Sequence, residues 1–176
     1  MPKILIVGSL ASGKKFLGEK LSEILHAPLY ALDDIQWERK YDHYRPAAER
    51  QKMIDDIVRS ENWIIAGVFY DWIGDAIERS ERIIVLREHF PLEAARIARR
   101  GVVGKFFDPA TQISFKGILG GLVHNLVGYH LHEGYGARMI ENLQRNYADK
   151  IVVLASKTEA NAFADALRAR IAGRFA

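Results

Sequence analysis

The 176-residue chain contains no cysteine. That excludes a disulfide framework, a thiolate nucleophile and any metal site that uses cysteine. It also lacks a strong excess of either charge. Twenty-five Lys and Arg against 22 Asp and Glu leave a net charge of +3. Such mild basicity suits an anionic small molecule as well as nucleic acid and decides between neither. There is no long unbroken apolar run. The most apolar stretch, residues 113–131, is interrupted by Lys116, His124, Asn125 and His130, which makes it a poor membrane span. Met1-Pro2-Lys3 leads into an apolar run too short for a secretory leader, so the expected setting is cytoplasmic. No internal repeat and no linker divides the sequence. With 49% hydrophobic and 27% charged residues, it reads as one globular domain over 1–176 with a sizeable core.

What is present begins near the N-terminus. Gly8-Ser9-Leu10-Ala11-Ser12-Gly13-Lys14-Lys15 follows the apolar run Ile4-Leu5-Ile6-Val7 and precedes a helical pattern from about Lys14. Strand, glycine loop, helix is the order a phosphate-binding loop requires. Gly8 and Gly13 allow the tight turn that brings backbone N–H groups close to phosphate oxygens. The helix aims its positive dipole end at the same anion. Lys14 is positioned for the outer phosphates. Ser9, Ala11, Ser12, Lys15 and Phe16 complete the expected nucleotide-contacting set. The pattern G-x-x-x-x-G-K-[ST] is complete except at its last position, where Lys15 stands. That exception favours the alternative, a strand-to-helix turn that binds nothing.

Further along, residues 3–8, 29–32, 63–67, 82–86 and 151–154 read as strands, and helical patterns separate them. Phe16, Leu17, Leu21, Ile24 and Leu25 form the expected buried stripe of the first helix. Pro46 opens a helix running to about Ser60, and shorter helices are expected at 71–80, 91–100 and 136–147. Thr158 is the expected cap of a last helix ending near Ile171. The polar, aromatic stretch 36–44 reads as a loop. The result is an α/β fold: a five-stranded parallel sheet with helices on both faces, carrying 101–135 as a helical, lid-like insertion. Ligands of such sheets bind at the carboxyl ends of the strands.

Several residues fall at that edge. Asp33 and Asp34 close the second strand; as neighbours in extended chain they would point to opposite sides. One of them is then placed to orient a substrate hydroxyl, accept its proton or hold a metal-bound water; the alternative is a turn or capping aspartate. Arg96, Arg99 and Arg100 share a helix, with Arg138 and Arg145 on the returning helix. Guanidinium groups suit multivalent phosphates, and the alternative is a solvated basic face. Trp37, Tyr41, Tyr44, Phe69, Tyr70 and Trp72 would line a planar pocket or simply fill the core. His124, His130 and His132 lack metal-ligand spacing, and no residue is assigned to metal. Residues 113–131 would serve as a lid or as a contact between copies of the chain.

With these residues in view, the chain resembles the adenylate-kinase-like P-loop kinases. Among them it is most similar to the small bacterial DNA topology modulation proteins. The likeness rests on Ile4–Lys14, on Leu32-Asp33-Asp34-Ile35-Gln36-Trp37, on Trp63-Ile64-Ile65-Ala66-Gly67 and on Arg82–Leu86 before an arginine-rich helix. It implies ATP-dependent phosphorylation of a small molecule, with magnesium, and catalytic roles for Lys14, Asp33, Asp34, Arg96 and Arg100. No DNA-reading motif accompanies it. Two departures concern the metal: Lys15 replaces a hydroxyl, and Ala66 stands where relatives carry aspartate. Both remove oxygens suited to a hard cation. An ammonium about 4 Å from a cation is repelled by about 4 kcal/mol per charge pair at a surface-like dielectric. A degenerate relative that binds nucleotide or phosphate without transferring it therefore stands as the alternative to an active kinase.

Overall fold

The structure, a computed structural model, describes residues 2–9, 12–39, 43–68, 71–87, 95 and 135–173. Five short apolar runs form β1 (Lys3–Gly8), β2 (Leu29–Ala31), β5 (Trp63–Gly67), β6 (Arg82–Leu86) and β7 (Ile151–Leu154). They make one sheet in the order β2-β5-β1-β6-β7, and each neighbouring pair is parallel. β1 lies at the centre. Its end is aligned with the ends of its neighbours, with Val7 opposite Gly67, Gly8 opposite Leu86, and Leu86 opposite Leu154. All five strands therefore open onto one edge.

The two-residue period of a strand divides the core into two layers. Leu5, Val7, Trp63, Ile65, Ile83 and Val85 face one side. There they meet Leu32 and Ile35 of α2 (Leu32–Gln36), Ile54 and Val58 of α3 (Ala47–Arg59), Ala76 and Ile77 of α4 (Gly74–Arg79), and Ile140 and Leu143 of α5 (Tyr135–Asn146). Ile4, Ile6, Ile64, Ala66, Ile84 and Leu86 face the other side. They pack against Leu17 and Leu21 of α1 (Lys14–Leu25) and Ala160 and Ala164 of α6 (Lys157–Ala172). Strands covered on both faces read as near-continuous apolar runs, and apart from Lys3 and Arg82 at their starts these strands do.

Four expectations are corrected. Leu32 does not end β2 but begins α2, which therefore contains Asp33 and Asp34. The stretch 36–44 is not simply a loop: β3 (Trp37–Arg39) and β4 (His43–Tyr44) pair antiparallel, with Trp37 opposite Tyr44. The segment after β5 opens with a 3-10 turn (Asp71–Ile73) before α4. The cap of α6 is Ser156, not Thr158: its hydroxyl accepts from the Glu159 N–H at 3.1 Å, while the Glu159 carboxylate accepts from the Ala155 N–H at 2.8 Å. That reciprocal arrangement satisfies two otherwise orphaned donors. Of the expected helix 91–100 only residue 95 is described, and it is helical; the segment 101–134, with the proposed lid and the oligomer contact, lies outside the described residues.

Candidate functional site

β1 ends at Gly8, and α1 begins six residues later at Lys14. A side chain at Gly8 would have no room, since a Cβ there would stand 2.6 Å from the Leu86 carbonyl oxygen. Gly13 has φ 92°, in the left-handed region, and serves as the N-cap of α1 without a side-chain cap. Its carbonyl accepts the first helical hydrogen bond, from the Leu17 N–H at 3.0 Å. Glycine takes that backbone conformation without steric cost. The first turn of α1 contains no acidic residue, so its dipole has no internal counter-charge there.

Lys14 folds back across the loop. Its Nζ donates to the Gly8 carbonyl at 3.1 Å, to the Ser9 carbonyl, and to the Ser12 hydroxyl at 3.4 Å. Ser12 N–H in turn donates to the Ser9 carbonyl at 3.3 Å. Ser9 and Ser12 are both buried. The ammonium thus lies on the loop itself, held by acceptors that phosphate oxygens can replace. Ala11 lies outside the described residues.

Lys15 turns the other way. Its side chain is 86% exposed, and its Nζ lies 3.7 Å from Glu19 Oε1, one turn along α1. Phe16 is another departure. Its place in the apolar stripe suggested burial, yet it is 44% exposed, whereas Leu17 and Leu21 are fully buried. It stands at the margin of the stripe, facing α6 rather than the sheet.

On the β2 side, α2 carries Asp33, half-buried, and Asp34, exposed. Because they lie on a helix, they are separated by about 100° of turn and not by a strand's reversal of side. One residue missed in the sequence fixes them. Arg45 donates from Nε to the Ile35 carbonyl at 3.2 Å and from its terminal nitrogen to the carbonyls of Trp37 at 3.3 Å and Asp34 at 3.5 Å. A guanidinium thereby satisfies the carbonyl end of a five-residue helix. Gln36, buried, accepts from Arg50 at 2.9 Å, and the Arg50 guanidinium lies 5.6 Å from the Trp72 ring centroid. Trp37 and Tyr44 stack with centroids 4.0 Å apart. These bonds of Arg45 and Arg50 carry no local signal, since their acceptors lie 8 to 14 residues away.

The remaining candidates are not brought to this site by the described residues. Arg96, Arg99 and Arg100 lie outside them, as do Tyr41, Phe69, Tyr70, His124, His130 and His132; Arg138 lies on α5, its side chain outside the described atoms. Positions 15 and 66 carry no side-chain oxygen. Lys15 offers an exposed ammonium, and Ala66 is buried with its methyl near the backbone of Gly18. Among the described residues, no three His, Cys, Asp or Glu side chains gather to hold a metal. An anion does fit the loop: the first turn of α1, which holds no acidic residue, two glycines and Lys14 converge on it.

A five-stranded parallel sheet whose central strand runs through a glycine turn into a helix defines the fold, and solved structures share that fold. A shikimate kinase from Acinetobacter baumannii, in complex with shikimate, is 16% identical over 99% of this chain and 94% of its own, with a TM-score of 0.57. A shikimate kinase from Bacteroides thetaiotaomicron is 15% identical over 97% and 98%, with a TM-score of 0.52. A gluconokinase from Sinorhizobium meliloti 1021 is 15% identical over 99% and 95%, with a TM-score of 0.51. The chain has the fold of these P-loop kinases. No protein-family model and no curated protein sequence matches it.

Proposed function

We propose that the chain binds a nucleoside triphosphate at the loop 8–15 and transfers its terminal phosphate to a small hydroxyl-bearing acceptor. The observation that carries this reading is the seating of Lys14 on the carbonyls of Gly8 and Ser9, beneath the uncapped first turn of α1. Incoming phosphate oxygens exchange with those carbonyls as acceptors for the ammonium. The backbone N–H groups and the helix dipole then hold the anion, and Lys14 opposes the charge that builds on the transferred group. ATP is the expected donor.

The acceptor belongs on the β2 side. α2 follows a strand two places from β1 in the sheet, about 10 Å away at the usual strand spacing. Asp33 or Asp34 orients the acceptor hydroxyl and takes its proton. The Trp37–Tyr44 stack offers that side a planar wall. The motif residues quoted above support membership of the DNA topology modulation group within this fold. The segment 101–135 is assigned as a lid within a single domain, and the arginines of 96–100 as phosphate contacts from it.

A second reading is favoured by Lys15 and Ala66: a protein that binds nucleotide without transferring phosphate, because oxygen groups for a metal are missing at both positions. One experiment separates the two. ATP binding is measured by calorimetry with magnesium and then with excess chelator, on the wild type and Lys14→Ala. Binding that needs both Lys14 and magnesium supports the kinase. Binding that needs Lys14 and ignores magnesium supports the non-catalytic binder. Binding that is indifferent to Lys14 overturns both.

A further inference from the structure

The sheet has two outer strands, and they are finished differently. β2 is three residues long, follows Pro28 and runs at once into α2. β7, Ile151-Val152-Val153-Leu154, has neither the charge nor the proline that commonly protects an open edge. β1, β5 and β6 are buried after their first residues. Val153 of β7 is 38% exposed, one of three large exposed hydrophobic residues among the described ones. Ile151 and Val152 are half-buried, on opposite faces of the sheet.

The backbone of β7 shows which of its groups are open. The carbonyls of Lys150 and Leu154 accept from the N–H groups of Ile83 and Arg87 at 2.8 and 2.9 Å. Backbone groups of successive strand residues point to alternate sides. Residues 150, 152 and 154 therefore point at β6, and Ile151, Val153 and Ala155 point away from the sheet. The Ala155 N–H is already held by the Glu159 carboxylate at 2.8 Å. Among the described residues nothing pairs with the outward groups of Ile151 and Val153. The open edge is thus the N–H and C=O of those two residues.

A second copy of the edge fits these groups. Laid antiparallel with Val152 on a two-fold axis, it sets Ile151 opposite Val153 of the copy, and Val153 opposite Ile151. Each such pair exchanges two N–H···O bonds, which uses every open group and disturbs no cap. A two-fold at Val153 would instead need the Ala155 N–H, which Glu159 holds. The side chains agree with the first register. Ile151 and Val153 share a face, so each pair brings two β-branched side chains together. On the other face Val152 meets its own copy. Lys150 is turned inward, its Nζ bonded to the carbonyls of Ile77 and Glu78 at 3.3 and 2.9 Å. Exposed Asp149 comes opposite Ala155 of the copy, two residues from its Lys157.

We propose that two copies of this chain join through β7, antiparallel about a two-fold at Val152, into one continuous sheet of ten strands, five from each. A strand of another protein could meet the same backbone groups; the self-complementary register is what selects a second copy. One short strand from each side makes a small contact, so the dimer dissociates on dilution. The two-fold turns the carboxyl ends of the two sets of strands in opposite directions. The loops 8–15 then lie at opposite ends of the joined sheet, and pairing leaves ligand binding there unchanged. The proposal does not rest on the nucleotide reading.

Sedimentation over a concentration series tests it. Wild type shows a monomer–dimer equilibrium. Val153→Lys raises the dimer dissociation constant at least about tenfold, and Val153→Thr, which keeps the β-branch, retains the dimer. Calorimetry gives the same ATP affinity for wild type and Val153→Lys. The lack of native cysteine supplies a second readout. Val152→Cys sets two Cα atoms about 4.5 Å apart in a non-hydrogen-bonded pair, within reach of a disulfide. Val153→Cys leaves its two copies on the diagonal, about 7–8 Å apart and beyond that reach. Mild oxidation therefore cross-links Val152→Cys and not Val153→Cys. Equal cross-linking of both variants overturns the register. A wild type that is monomeric at every concentration overturns the pairing, and so does a dimer that Val153→Lys leaves intact.

Discussion

Lys15 Nζ lies 3.7 Å from Glu19 Oε1 on the exposed face of α1, drawn along the helix and away from the loop mouth. Such an exposed i, i+4 pair contributes only about 0.3–0.5 kcal/mol and is screened by salt. Its larger effect is on position, because an ammonium held along the helix does not fill the place of a metal-binding hydroxyl. Lys15→Ser is expected to change stability by less than about 0.5 kcal/mol. It is also expected to raise the ratio of ATP affinity with magnesium to that with chelator. Thermal unfolding checks the first outcome and paired titrations the second. A ratio that does not move would show that position 15 lies clear of any metal.

Lys14 Nζ is bonded to loop acceptors on Gly8, Ser9 and Ser12. A charged hydrogen bond is worth about 1.5–3 kcal/mol. Lys14→Ala should therefore weaken ATP and tripolyphosphate alike by about 10- to 150-fold. Lys14→Arg should recover little, because a planar fork does not reproduce a point charge folded into the turn. Calorimetry against both ligands reads the outcome.

Gly8 faces the backbone of β6. In Gly8→Ala the new methyl meets the Leu86 carbonyl oxygen, at 2.6 Å before any shift, and backbone cannot rotate aside as a side chain does. Overpacking of this kind costs about 1–3 kcal/mol. The Tm should fall by about 2–4 °C for each kcal/mol, and phosphate affinity should fall with it. A variant with unchanged Tm would show that the loop and β6 separate readily.

Tyr147 gives the fold a pH signature. Its hydroxyl donates to Glu78 Oε1, and that bond, with burial and the carboxylate's charge, raises the phenol above its ordinary 10.0. A raised folded value means that its stabilisation is fully present below pH 10 and is lost as pH rises through the folded value. Wild type should lose this contribution on the alkaline side, as pH rises through the folded value. Tyr147→Phe should start about 1 kcal/mol lower near neutrality and show a flatter alkaline limb. Denaturant midpoints between pH 8 and 11 measure both.

The strands were legible because burial on both faces writes itself as continuous apolar runs, as in Ile4–Val7 and Ile83–Leu86. The loop was legible because its backbone demands glycine at fixed places, and Gly13 meets that demand with its positive φ. α2 was not, because five residues are too few to display a helical period, and Asp33-Asp34 after an apolar run reads equally well as a strand end. The β3–β4 pairing escaped because Trp37 and Tyr44 are joined through a stretch crowded with charge. Phe16 was placed in the buried stripe because a period gives an angle around the helix and not the width of the buried face. Ser156 was readable in principle: it stands three residues before Glu159, the spacing of a reciprocal cap, but Thr158 offered a second hydroxyl closer to the apolar pattern.

The central place of β1 has a consequence for how the chain is made. Both neighbours of β1 come from later in the sequence, β5 at 63–67 and β6 at 82–86. A nascent chain leaving the ribosome exposes Ile4–Val7 with both edges unpaired until β5 has emerged. Pairing then closes long loops, a slow step that favours chaperone capture over early folding. The glycine turn after β1, which precedes both neighbours of that strand, thus acquires its shape only after they emerge, and a synthesis halted before β6 yields a ribbon open to edge-to-edge association.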